Sequence, residues 1–126
     1  MERCRQEEAW KTYESRWAAL GRDASPLRFE SIPWPTTVPP RKVEEITSEA
    51  ITKFILSPAH SEGISQKERI KHGLRRWHPD RFGRMLNRVE KEDRGGVERG
   101  VGIVVRCLND LLAKHKHKHK GIINII

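Results

Sequence analysis

Residues Lys67–Phe82 read KERIKHGLRRWHPDRF, and the rest of the chain is best understood outward from them. Ser65 and Glu68 form an S-x-x-E capping box at the start of this stretch, a pattern that satisfies the orphan N–H donors of a helix N-terminus. Ile70, Leu74 and Trp77 follow at i, i+4 and i+7, which is one buried stripe, so a helix is predicted from about Gln66 to Trp77. Lys67, Arg69, Lys71, Arg75 and Arg76 occupy the remaining faces. His78-Pro79-Asp80 then interrupts the helix, because a residue preceding proline is pushed out of the α region. Seven Lys or Arg against two acids over residues 64–84 make this the most basic stretch of the folded part. A basic helix therefore leads into a turn that presents His78 and Asp80 around a rigid proline. Asp80 suits a bidentate arginine on a partner. As pure structure, Pro79 would end one helix and Asp80 would cap the next.

Upstream, Thr47 or Ser48 is a candidate N-cap, and Ala50, Ile51, Phe54 and Ile55 form an apolar stripe that Ser57-Pro58 stops. Downstream, Phe82, Met85, Leu86 and Val89 recur at helical spacing. After Gly95-Gly96 a longer stripe runs through Val97, Val101, Val104, Val105, Leu108, Leu111 and Leu112, so this region is one helix or two broken at the glycines. Trp10, Tyr13, Trp17 and Leu20 mark an amphipathic helix near the N-terminus that ends about Gly21. Between Arg22 and Lys42 five prolines exclude a helix or a central strand, yet Leu27, Phe29, Ile32 and Trp34 lie among them. An inert tether rarely carries such side chains, so this segment is expected to lie extended on the core as a strap. The resulting plan is all-α: an N-terminal helix over 1–21, a Pro-rich connector over 22–42, a helical domain over 43–112 and a basic, disordered tail over 113–126.

The 126 residues allow one small domain, and with 36% hydrophobic and 33% charged residues the core must be thin. No run approaches the roughly 20 apolar residues of a membrane span, and with Glu2, Arg3 and Arg5 after Met1 no secretory leader is expected. Cys4 and Cys107 stand apart and belong to no Cys/His array, so reduced thiols are expected. The net charge is +8, and four of its lysines lie in the acid-free tail. That surplus suits an acidic protein or nucleic acid equally. His115, His117 and His119 alternate with lysines and are not taken as a metal site, and Gly100-Val-Gly102 has neither the preceding strand nor the third glycine of a phosphate loop. His78 with Asp80 lacks a nucleophile or metal beside it, so no catalysis, metal or cofactor is expected, and the chain is expected to be a monomer without membrane contact.

A basic amphipathic helix ending in His-Pro-Asp before a further helix resembles the J domain of DnaJ-like co-chaperones, over roughly Val43 to Leu112. The resemblance implies a helical hairpin whose His-Pro-Asp loop binds a DnaK-type heat-shock chaperone and stimulates its ATP hydrolysis. It implies that His78, Pro79 and Asp80 carry the stimulation, with Lys67, Lys71, Arg75 and Arg76 docking the chaperone. The match departs at Arg81-Phe82, where the family commonly has Lys-Asn, and no Gly/Phe-rich linker or zinc-binding cysteine repeat follows. YESRWAAL (Tyr13–Leu20), LRFESIPWP (Leu27–Pro35) and LRRWHPDRF (Leu74–Phe82) together resemble the C-terminal region of NF-kappa-B inhibitor-like proteins and their fungal relatives. The expected address is nucleus or cytoplasm, and that likeness favours the nucleus slightly. It also carries the alternative function, a scaffold whose basic face binds RNA-processing or transcription partners or nucleic acid itself.

Overall fold

The computed structural model describes the backbone of residues 2–22 and 24–125, and side chains as far as His115. It is all-α, with helices α1 (Glu2–Leu20), α2 (Ser48–Ile55), α3 (Gln66–Trp77), α4 (Pro79–Leu86) and α5 (Arg94–Ile125) and three short 3-10 turns. Thr47 caps α2 by accepting from the Ala50 N–H at 3.1 Å, and Ser65 caps α3 by accepting from the Glu68 N–H at 3.2 Å. These local bonds are why the two helices begin where the sequence places them. α3 and α5 pack together and approach closely at Gly73, where a Cβ would lie 3.0 Å from Leu108 Cδ1. α2 packs across α5, with Ile51 and Phe54 fully buried.

One hydrophobic core takes side chains from Tyr13 to Leu108, so stretches separate in sequence share it. The Pro-rich connector is its inner lining. Leu27, Phe29, Ile32 and Trp34 are all buried, as are Pro33 and Pro35. Trp34 lies flat on Trp77 with ring centroids 5.5 Å apart, and its indole N–H donates to the Phe29 carbonyl at 3.1 Å. Prolines suit this segment because few of its backbone N–H groups need partners in a helix or ladder. At its start, the Leu27 N–H donates to the Arg88 carbonyl at 2.8 Å and the Glu90 N–H to the Leu27 carbonyl at 2.7 Å. Asp93 accepts from Arg28 Nε and from the Phe29 N–H, each at 2.9 Å. Arg88 donates to the Leu20 carbonyl at 2.9 Å, satisfying an orphan acceptor at the end of α1.

The helix break expected at Gly95-Gly96 falls earlier, over Asn87–Asp93, because the backbone bonds to Leu27 draw that stretch out of helical geometry. The two glycines lie inside the first turn of α5 instead. The backbone of α5 continues to Ile125 through the segment expected as a disordered tail, and the side chains of His117 and His119 lie outside the described residues. No described helix is long and apolar enough to cross a membrane.

Two α5 glycines make opposite predictions. A Cβ on Gly100 would lie 2.5 and 2.9 Å from Trp34 ring carbons and 3.1 Å from Ile46 Cδ1, whereas one on Gly102 would meet nothing within 4 Å. Gly100→Ala should therefore cost about 1–3 kcal/mol through overpacking, and Gly102→Ala should gain up to about 1 kcal/mol from helix propensity. Chemical unfolding of both variants checks this; equal effects would contradict the close approach of Trp34.

Candidate functional site

The site is built at the α3–α4 junction. Proline at 79 bars His78 from the α region, and His78 accordingly takes φ −57° and ψ 135°, while Pro79 itself begins α4 with no N–H to waste. The His78 ring folds back so that Nδ1 accepts from the Asp80 N–H at 3.1 Å. His78, rather than Asp80, is thus the cap of α4, a correction to the structural role expected for the aspartate. With Nδ1 accepting, the neutral ring carries its proton on Nε2. Asp80 is left free of capping: its side chain is 93% exposed and its Oδ2 stands 3.8 Å from His78 Nδ1. A carboxylate in the first turn of a helix also sits favourably toward the helix dipole.

The junction is anchored from below by Trp77, which is fully buried. Phe82 lies nearly parallel to it at 5.3 Å, Trp17 meets it edge-on at 5.0 Å, and its indole N–H donates to the Tyr13 hydroxyl at 3.2 Å. The residue immediately before the turn is therefore fixed by α1, the strap and α4 together.

The expected docking cations divide into two groups. Lys67 and Lys71 are half-buried and Arg75 is exposed, and among the described residues none of the three has an ion-pair partner. Lys67, Lys71 and Arg75 succeed one another at i+4 along α3, toward the His78 turn. Arg76 is placed differently. It grips Glu14 of α1 at 2.8 and 3.3 Å and lies over the Tyr13 and Trp17 rings at 5.3 and 5.2 Å. Its guanidinium thus holds α1 against α3, leaving three of the four cations open.

Arg69, counted in the sequence with the solvent-facing basic residues, is turned into the Ser57–Ser65 loop. It donates to the carbonyls of Ser57, His60 and Ser61 at 2.7–2.8 Å and to that of Ile64 at 3.2 Å. Nothing in the sequence around Arg69 marks it as a loop clasp rather than a surface cation. The same holds for Glu14, whose partner is 62 residues away. His60 was also passed over. It is 6% exposed, stacks flat on Trp10 at 3.8 Å, and bonds the Phe54 carbonyl at 2.7 Å and the Ser61 hydroxyl at 2.9 Å.

Burial, with the Arg69 charge behind it, holds the His60 pKa below its usual value, against the pull of the Phe54 carbonyl and Glu14. His72 is lowered too, by burial and then by Arg76 and Arg75. A histidine whose folded pKa is depressed binds fewer protons than its unfolded counterpart, so stability falls as pH drops through the ordinary value near 6.5. The loss continues until the folded-state pKa is passed. Thermal melts at about pH 7.5 and about pH 5.5 should show a lower Tm in acid. The shift should shrink in His60→Gln, and a pH-independent melt would contradict the assignment.

No protein-family model, curated protein or solved structure matches the chain.

Proposed function

We propose that this chain is a J-domain-like co-chaperone or adaptor that binds a DnaK-type heat-shock chaperone and stimulates its ATP hydrolysis, with no reaction of its own. The observation that carries the reading is the His78-Pro79-Asp80 turn. A fixed proline and a capping histidine project an unencumbered carboxylate beside an open row of cations. Asp80 offers two oxygens to an arginine of the chaperone, a charge-assisted geometry that is directional as well as strong. Lys67, Lys71 and Arg75 steer an acidic surface of the same partner and set its orientation, an effect that weakens with salt. Arg76 acts through α1, keeping α3 in place beneath that row. The test is ATP turnover by a DnaK-type chaperone with the protein added, using His78→Gln and Asp80→Asn as controls. A nuclear scaffold of the NF-kappa-B inhibitor-like kind is the reading that a folded but inactive protein would favour.

A further inference from the structure

A second feature adjoins that docking row and shares Arg75 with it. Between α1 and the α3–α4 junction runs a cleft of about 510 Å³, within the size range of small-molecule sites. Its cationic side is made by Arg75 and Arg76 of α3 and Arg81 of α4, with His72 beside them; its apolar side includes Trp17, Ala18 and Met85. Glu14 also lines it, but its carboxylate is held by Arg76, and among the described residues Arg75 and Arg81 have no ion-pair partner. Two guanidinium charges are thus left uncompensated. Trp17 is half-buried and lines the cleft, while its indole N–H, without a hydrogen-bond partner among the described residues, is itself closed to solvent; the ring, and not this N–H, is what the cleft offers a ligand.

We propose that this cleft binds a nucleotide, taking its phosphate on Arg75 and Arg81 and its base against the apolar side formed by Trp17, Ala18 and Met85. Guanidinium forks match phosphate oxygens bidentately, and two uncompensated positive charges balance a phosphomonoester dianion. A cationic cleft with an adjoining apolar wall is how sequence-tolerant nucleotide sites are built. The nucleotide comes either free or as one residue of a single-stranded RNA. The inference does not rest on the chaperone reading, although it shares Arg75 and Arg76 with it.

The test is an NMR titration of the full chain with adenosine monophosphate, a single-stranded adenylate RNA octamer and inorganic phosphate in parallel. The monophosphate should move the Trp17 indole N–H resonance and raise the pKa of His72, since a bound dianion offsets the field of Arg75 and Arg76. Arg75→Glu combined with Arg81→Glu should weaken binding at least about tenfold. Both residues are exposed and have no ion-pair partner among the described residues, so the fold should survive. Ala18→Glu, at an exposed position of α1, should weaken binding as well by placing a carboxylate in the cleft. Tighter binding of the octamer at the same resonances assigns the ligand to an RNA strand, and equal binding assigns it to the free nucleotide. Inorganic phosphate reproducing the shifts at the same concentration would overturn the proposal, because no base would then be contacted. So would Trp17 and His72 signals that no ligand moves.

Discussion

A chain lacking residues 1–36 is expected to lose its cooperative thermal transition, although the N-caps and apolar stripes of α2 and α3 remain intact. The removed segment carries Tyr13, Leu27, Phe29, Ile32 and Trp34, each at most 8% exposed, together with the half-buried Trp17. Burying one such side chain is worth roughly 1.5–3 kcal/mol, while a small domain has only about 5–15 kcal/mol in total. The deletion also leaves the upper face of Trp77 bare where Trp34 stacked on it, and removes the hydroxyl that accepts from its indole N–H. Far-UV circular dichroism against temperature checks this. Trp34→Ala, which keeps the chain length, should cost about 3–5 kcal/mol by the same mechanism. A truncated chain that melted like the whole one would show that the strap contributes nothing to the core.

This dependence ties the N-terminal third to the His78-Pro79-Asp80 turn. His78 follows Trp77 directly, and Trp77 is held by Tyr13, Trp17, Trp34 and Phe82. Loosening the strap therefore disorders the aromatic cluster first and the direction of the His78-Pro79-Asp80 turn next. Variants such as Trp34→Ala should impair docking in proportion to their loss of stability, unlike changes at Asp80.

Much of the helical plan was legible because its determinants are local. Thr47, Ser65 with Glu68, and the Ile70-Leu74-Trp77 spacing each act within two turns of chain, and Pro79 restricts only its neighbour. The buried role of the Pro-rich strap was legible from the large apolar side chains stranded among its prolines. The break between α4 and α5 was misplaced, since it is made by hydrogen bonds from Leu27, 62 residues before Val89. Glycines at 95 and 96 look like helix breakers locally but are tolerated where tertiary packing carries the helix. At the α3–α4 junction, the break at His78-Pro79 and the succession of Lys67, Lys71 and Arg75 along α3 were legible from residue type and spacing. The engagement of Arg76 by Glu14 and of Arg69 by loop carbonyls was not, because a cation reads the same in sequence whether it faces solvent or a buried carbonyl. That His78 rather than Asp80 caps α4 follows from a side-chain rotamer that no pattern encodes.

Asp80→Asn is expected to abolish stimulation of a DnaK-type chaperone while leaving the fold within about 1 kcal/mol of the parent, the scale of a charge lost from a helix first turn. Among the described residues Asp80 makes no side-chain hydrogen bond, and its side chain is 93% exposed, so little of the core depends on it. Its whole contribution then lies in the ion pair it offers a partner, and truncating one side of a desolvated charge pair costs about 2–5 kcal/mol of binding. His78→Gln should remove stimulation as well, with a somewhat larger stability cost because it also alters the α4 cap. Charge reversal at Lys71 and Arg75 should weaken docking in a salt-dependent way without changing the stimulated rate at saturation.

The most direct measurement is steady-state ATP turnover by a purified DnaK-type chaperone with increasing amounts of the parent protein, Asp80→Asn and His78→Gln, each verified as folded by its melt. Saturable stimulation by the parent, reduced to the chaperone's basal rate by both variants, is the predicted result. A folded parent that leaves turnover unchanged, or stimulation that persists undiminished in Asp80→Asn, would contradict it.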